Sequence, residues 1–114
     1  MRRCSKCKKL EKKTFHTHHI TYYPEKTIIL CERCHGLITS IDIYARRLFR
    51  KKRLYKRKFK KDKYFRNSLI DNYIREIFFT YFMSDEIDTR NFGKSKRRQF
   101  VKAMFLKISF EQFY

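Results

Sequence analysis

The stretch His16–His35, HTHHITYYPEKTIILCERCH, decides how this chain is read, because it holds all four histidines and two of the four cysteines. Its opening part, FHTHHITYY from Phe15, is dense in β-branched and aromatic residues and predicts a strand. Pro24 ends that strand, and EKTIIL predicts a second one running into Cys31. A helical pattern takes over from about Arg33. Neighbours on a strand face opposite sides, so the adjacent His18 and His19 can perform different tasks at one site. His35 directly follows Cys34, at the start of the predicted helix.

Working outward, CERC (Cys31, Cys34) has a counterpart in CSKC (Cys4, Cys7), with 23 residues between the pairs. Paired CxxC motifs in a reducing compartment read as metal ligands, not disulfides. Four thiolates at this spacing predict a structural Zn²⁺ site. Such an ion contributes about 10–16 kcal/mol of apparent binding free energy, which becomes folding free energy. A module this short has too few core residues to fold without it.

Beyond Gly36 the chain is helical in pattern. Leu37, Ile38, Ile41, Tyr44, Ala45, Leu48 and Phe49 recur at steps of three and four and give one buried stripe. The helix then enters RKKRLYKRKFKKDK, residues 50–63, and is expected to continue through it. NSLIDNYIREIFFTYFM, residues 67–83, predicts the next helix, with Ser68 as cap and Asp71 in the first turn. SDEIDTRNFG predicts a turn region. A last helix is expected over about Lys96–Ile108, capped by Ser95. The fold class is therefore α+β: a small ββα zinc module over residues 1–45, followed by a basic α-helical extension over 46–114.

The formal charge of +19, from 30 Lys and Arg against 11 Asp and Glu, opposes compaction unless a polyanion neutralises it. Nucleic acid is the expected partner, since phosphate neutralisation releases condensed counterions. The residues expected to grip phosphates are Arg46, Arg47, Arg50, Lys51, Lys52, Arg53, Lys56, Arg57, Lys58, Lys60 and Lys61. Ten of residues 50–63 are Lys or Arg. Tyr55 and Phe59 lie among them and read as anchors to the helix at 67–83. No apolar run approaches the roughly 18 residues of a membrane span. No apolar segment follows the basic start, as a secretory signal requires. An intracellular protein that does not use a membrane is expected. The aromatic faces of the two later helices read as core, with homodimerisation through them as the alternative.

The combination C-x2-C … HHI … LC-x2-CH, carried by Cys4, Cys7, His18, His19, Ile20, Leu30, Cys31, Cys34 and His35, resembles the HNH endonucleases over residues 4 to about 40. The resemblance implies a ββα-metal fold of the treble-clef type and hydrolysis of DNA phosphodiester bonds. It implies His18 and His35 as ligands of a catalytic Mg²⁺ or Mn²⁺, His19 as the general base, and the four cysteines around a separate structural zinc. An imidazole with a pKa near 6.5 suits proton abstraction from water at neutral pH. Two departures stand out: Lys26 and Thr27 occupy the neighbourhood of the family's asparagine, and His16 has no counterpart. The rival expectation is a non-catalytic zinc protein that binds nucleic acid, DNA or RNA, such as a component of a ribosome.

Overall fold

The computed structural model describes residues 2–8, 10–11, 15–22, 24–52, 69–84 and 92–111. The chain opens with a short antiparallel ladder, β1 (Arg2–Arg3) against β2 (Leu10–Glu11), with Arg3 opposite Leu10. Cys4–Cys7 form the turn between them. The Lys8 amide donates to the Cys4 carbonyl at 3.0 Å, and Lys8 takes a left-handed φ of 63° to close the turn.

A hairpin follows: β3 (Phe15–Thr21) pairs with β4 (Lys26–Cys31), placing Phe15 opposite Cys31 and His18 opposite Ile28. The register slips between His19 and Thr21. Such a bulge re-aims the side chains at the strand's end. The Ser5 amide donates to the Ile29 carbonyl at 3.2 Å, which ties the Cys4–Cys7 turn to β4.

Helix α1 (Glu32–Arg50) begins on Cys31, whose extended backbone and side-chain sulfur cap it by accepting from the Cys34 amide at 3.5 Å. Turn, hairpin and helix together make a ββα arrangement of the α+β class, with which a zinc module is compatible. Helices α2 (Leu69–Phe82) and α3 (Lys94–Phe105) complete the chain and pack on α1, while α2 also covers β3.

One buried cluster joins all of this. It runs from Cys4 and Leu30 through Ile38, Ile41, Ala45 and Phe49 of α1 to Ile74, Phe78 and Phe82 of α2 and Val101 and Phe105 of α3. Phe110, past the end of α3, folds back against Phe49 with ring centroids 5.5 Å apart. The Tyr73 hydroxyl donates to the Ser109 carbonyl at 2.8 Å and holds that return. α2 has no basic residue in its own last turn. Lys6 supplies one from the Cys4–Cys7 turn, donating to the Ser84 carbonyl at 2.7 Å. That cation sits where the helix dipole favours it.

Three expectations about the helices change. α1 stops at Arg50, because the Lys51 amide turns back to Leu48 and the Lys52 amide to Phe49. Lys52 is also drawn over the rings of Phe105 and Phe110, at 5.3 and 5.1 Å. The cap of α3 is Gly93, not Ser95, and the helix ends at Phe105 instead of Ile108. Ser68, the expected cap of α2, lies outside the described residues, as does most of the basic run.

Two substitutions test this packing. Phe78 is fully buried, so Phe78→Ala should cost about 3–5 kcal/mol. A Cβ added at Gly36 meets nothing within 4 Å. Gly36→Ala should therefore stabilise α1 by about 0.5–1 kcal/mol. Thermal melts should show opposite shifts for the two variants, and a lowered midpoint for Gly36→Ala would contradict the open space assigned there.

Candidate metal centre and histidine site

The four cysteine sulfurs lie within 4.8 Å of one another. Sulfurs placed about 2.3 Å from a tetrahedral zinc are separated by about 3.8 Å. The Cys7 and Cys31 sulfurs are 3.8 Å apart. The donor set and its dimensions thus fit a metal ion such as zinc. Cys4, Cys31 and Cys34 are buried and Cys7 faces solvent.

The thiols are prepared unequally. Burial raises the Cys4 pKa, but contacts to the backbone of Cys31, Cys7 and Lys6 outweigh it and bring the value to about 7. Burial raises the Cys31 and Cys34 pKa values, and neighbouring thiols push Cys34 further up. A bound cation would offset that penalty by taking the deprotonated sulfurs. Among the described residues this is the only group of three or more Cys, His, Asp or Glu side chains placed to share an ion.

The histidines gather a short way along the hairpin. His18 is buried between α1 and α2, its ring 5.5 Å from His35 in an edge-on contact and 6.3 Å from Phe79. His16, two residues back on the same strand face, stacks on the His35 ring with centroids 4.8 Å apart. His19 is not part of this group. Its ring stacks on Tyr22 at 4.7 Å, and its Nε2 lies 3.6 Å from the exposed Glu25 carboxylate. His18, His19 and His35 nevertheless border one cavity of about 270 Å³, closed by Tyr22, Asp42, Arg46 and Arg75. The structure therefore brings His18 and His35 together and leaves His19 at the rim.

Protonation follows from burial and field. Burial, then the positive charges of His35, Arg75 and His19, lowers the His18 pKa to about 4. Burial and His16 lower that of His35. His18 is thus neutral at pH 7, with a nitrogen lone pair available to a metal.

Two residues that sequence reasoning passed over organise the site. Asp42, about two turns beyond His35 along α1, is buried with its Oδ2 3.7 Å from His18 Nε2, beyond hydrogen-bond length. Its Oδ1 is buried without a hydrogen bond. Burial raises its pKa, against the pull of Arg75 and Arg46 and with the help of Asp71, to about 7. Arg75 of α2 donates from Nε to Asp71 at 3.0 Å and from Nη1 to Asp42 at 3.5 Å and the His19 carbonyl at 3.4 Å. Its guanidinium also lies over Tyr22 at 5.1 Å. It thereby fixes both the backbone of His19 and the ring on which His19 stacks.

The basic residues divide. Arg46 borders the histidine cavity, and Arg47 borders a separate groove against α3. Arg50 and Lys51 are exposed at the end of α1, and Lys52 is engaged with aromatic rings. Arg53, Lys56, Arg57, Lys58, Lys60 and Lys61, with Tyr55 and Phe59, lie outside the described residues. No described helix is long and apolar enough to cross a membrane.

Two measurements check this site. Chelator, or Cys34→Ala, should abolish the cooperative thermal transition, and an unchanged melt would contradict a metal-dependent core. The second is a pH profile. A raised Asp42 pKa gives stability that is present at low pH and lost as pH rises toward 7. A lowered His18 pKa gives stability lost as pH falls from 6.5 toward 4. Between those limits the two slopes oppose each other. Relative to the parent, Asp42→Asn should lose thermal stability as pH is lowered from neutral, and His18→Asn should gain it. Parallel profiles for all three proteins would contradict the assignment.

No family model matches the chain, and no curated protein or solved structure is significantly similar to it.

Proposed function

We propose that the chain is a metal-dependent endonuclease of the HNH type, hydrolysing phosphodiester bonds of DNA. The observation that carries this reading is the pairing of His18 with His35 across a cavity bordered by His19 and two arginines. Their pKa values are lowered, which leaves unprotonated nitrogens for a divalent ion such as Mg²⁺ or Mn²⁺. Bound there, the ion would supply charge stabilisation for the scissile phosphate and the leaving oxygen. Two imidazole ligands leave its remaining positions to water and substrate.

In this scheme His19 accepts a proton from water as the water oxygen bonds to phosphorus. The bond from phosphorus to the leaving oxygen breaks, and that oxygen takes up a proton. Stacking on Tyr22 fixes the His19 ring, and the Glu25 carboxylate lies 3.6 Å from its Nε2. Arg46 and Arg75 border the cavity and give it a positive field for phosphate oxygens. Arg75 acts through His19 as well, since it holds the His19 carbonyl. Glu25 thus offers this base a partner in the region where the family's asparagine is absent.

A non-catalytic zinc module bound in a nucleoprotein assembly is the second reading. It is favoured by the turn of His19 away from the His18–His35 pair toward Tyr22 and Glu25. Supercoiled plasmid incubated with Mg²⁺ or Mn²⁺ separates the two. The nuclease reading expects nicking by the parent and a rate lower by about 10²-fold or more for His19→Ala. Equal cleavage by both proteins, or none by the parent together with tight RNA binding, would overturn it.

A further inference from the structure

Beside the histidine cavity lies a second depression of about 350 Å³, between α1 and the start of α3. Residues 35, 39, 42 and 46 of α1 border the histidine cavity, while 36, 40, 43 and 47 border the groove. Steps of three and four keep to one helix face, so these are adjacent stripes on one surface. Thr39 borders both. The groove therefore begins where the histidine cavity ends.

Its walls are cationic. Arg47 comes from α1, and Lys94, Arg97 and Arg98 come from the first turns of α3. Among the described residues, none of these four is paired with a carboxylate. The first turn of α3 contains no acidic residue, and Gly93 offers no side-chain cap. Cations thus crowd the helix end whose dipole is already positive, the reverse of the stabilising arrangement. Two of them have distinct surroundings. The Arg97 Nε is buried without a hydrogen bond, and the Arg98 guanidinium lies over Tyr44 at 5.3 Å. A solvated basic face would leave its side chains free to spread apart. Here they are gathered in a concave groove with the hydroxyl residues Thr39 and Ser40 on the facing wall. Anionic oxygens spaced along the groove would offset the crowding of cations at this helix end.

We propose that this groove holds the sugar-phosphate backbone of a nucleic acid whose neighbouring phosphate enters the histidine cavity. The proposal rests on the nucleic-acid reading above but not on cleavage. It moves part of the expected grip from the basic run to the start of α3. A concave track with hydroxyls suits a chain of phosphates better than a flat anionic lipid surface.

The test measures binding of the full zinc-loaded chain to a labelled DNA duplex, and to single-stranded RNA of the same length, across a salt series without added Mg²⁺. Arg97→Gln/Arg98→Gln should make the log–log salt slope for the duplex shallower by about 1.8, from roughly 0.9 for each phosphate no longer neutralised. Arg47→Gln, on the opposite wall, should make it shallower by about 0.9. Lys102→Gln/Lys107→Gln removes the same charge as the first pair from exposed positions outside the groove, and should leave the slope as it is. Thermal midpoints confirm that the variants fold, and the Arg47 variant carries the test if the α3 pair does not. Slopes equal to that of the control pair would overturn the groove while leaving the nuclease reading intact. Loss of binding to anionic vesicles with unchanged DNA and RNA binding would overturn it in favour of a lipid surface. A parent that binds neither polymer would overturn both readings together. Failure to cleave plasmid, with the slopes as expected, would overturn the nuclease reading and support the groove.

Discussion

Four cysteine sulfurs brought within reach of one ion are the constraint on which the other features of this chain depend. They join the N-terminal turn to the junction of β4 and α1, and a backbone hydrogen bond from Ser5 to Ile29 also ties that turn to β4. Cys31 ends β4 and caps α1, so an ion bound by the cluster would fix the angle between hairpin and helix. His35 follows Cys34 directly, and His18 lies on the strand paired to β4. The approach of those two rings follows from the junction that the sulfur cluster holds together. Three of the sulfurs are buried, where a bare thiolate is costly; an ion bound there would offset that cost and add its binding free energy to folding.

The second organising element is α2, which lies outside the zinc module. It places Phe79 against His18, and it sends Arg75 between Asp71, Asp42 and the end of β3. A buried arginine between two carboxylates is expensive to desolvate and is weak evidence for stability alone. Its geometric effect is clearer. It ties the bulged end of β3 to α1 and α2 at once, which holds His19 at the cavity rim. The chain therefore keeps a costly polar cluster where an apolar one would pack more simply, beside the residues that suit chemistry.

Much of this was legible in the residues. The CxxC pairs predicted a cluster that forms, because sulfur ligation is set by short local spacings. The hairpin and the apolar stripes of all three helices were readable from period and composition, since Ile38, Ile41, Phe49, Ile74, Phe78 and Val101 sit where the patterns put them. The pairing of His18 with His35 was expected from the resemblance to HNH enzymes, and strand alternation explains why His19 faces elsewhere. Other features were hidden. Asp71 and Arg75, four residues apart, look like an ordinary surface pair on a helix. Their burial depends on how α2 crosses β3, which no local pattern encodes. Asp42 is a lone acid between two isoleucines and gives no periodic signal. Just past the end of α1 at Arg50, Lys52 meets the rings of Phe105 and Phe110, a contact between distant parts of the sequence. The cations at the start of α3 form a short run in the sequence, Lys94 to Arg98, but they face Arg47 across a groove only when α3 lies against α1.

X-ray absorption at the zinc edge tests the central claim most directly. The account predicts one zinc per chain, surrounded by four sulfurs at about 2.3 Å and no nitrogen in the inner shell. A shell containing imidazole nitrogen or carboxylate oxygen in place of sulfur would contradict it. So would a folded protein that carries no metal, since the hairpin, α1 and the histidine pair would then owe their arrangement to something else.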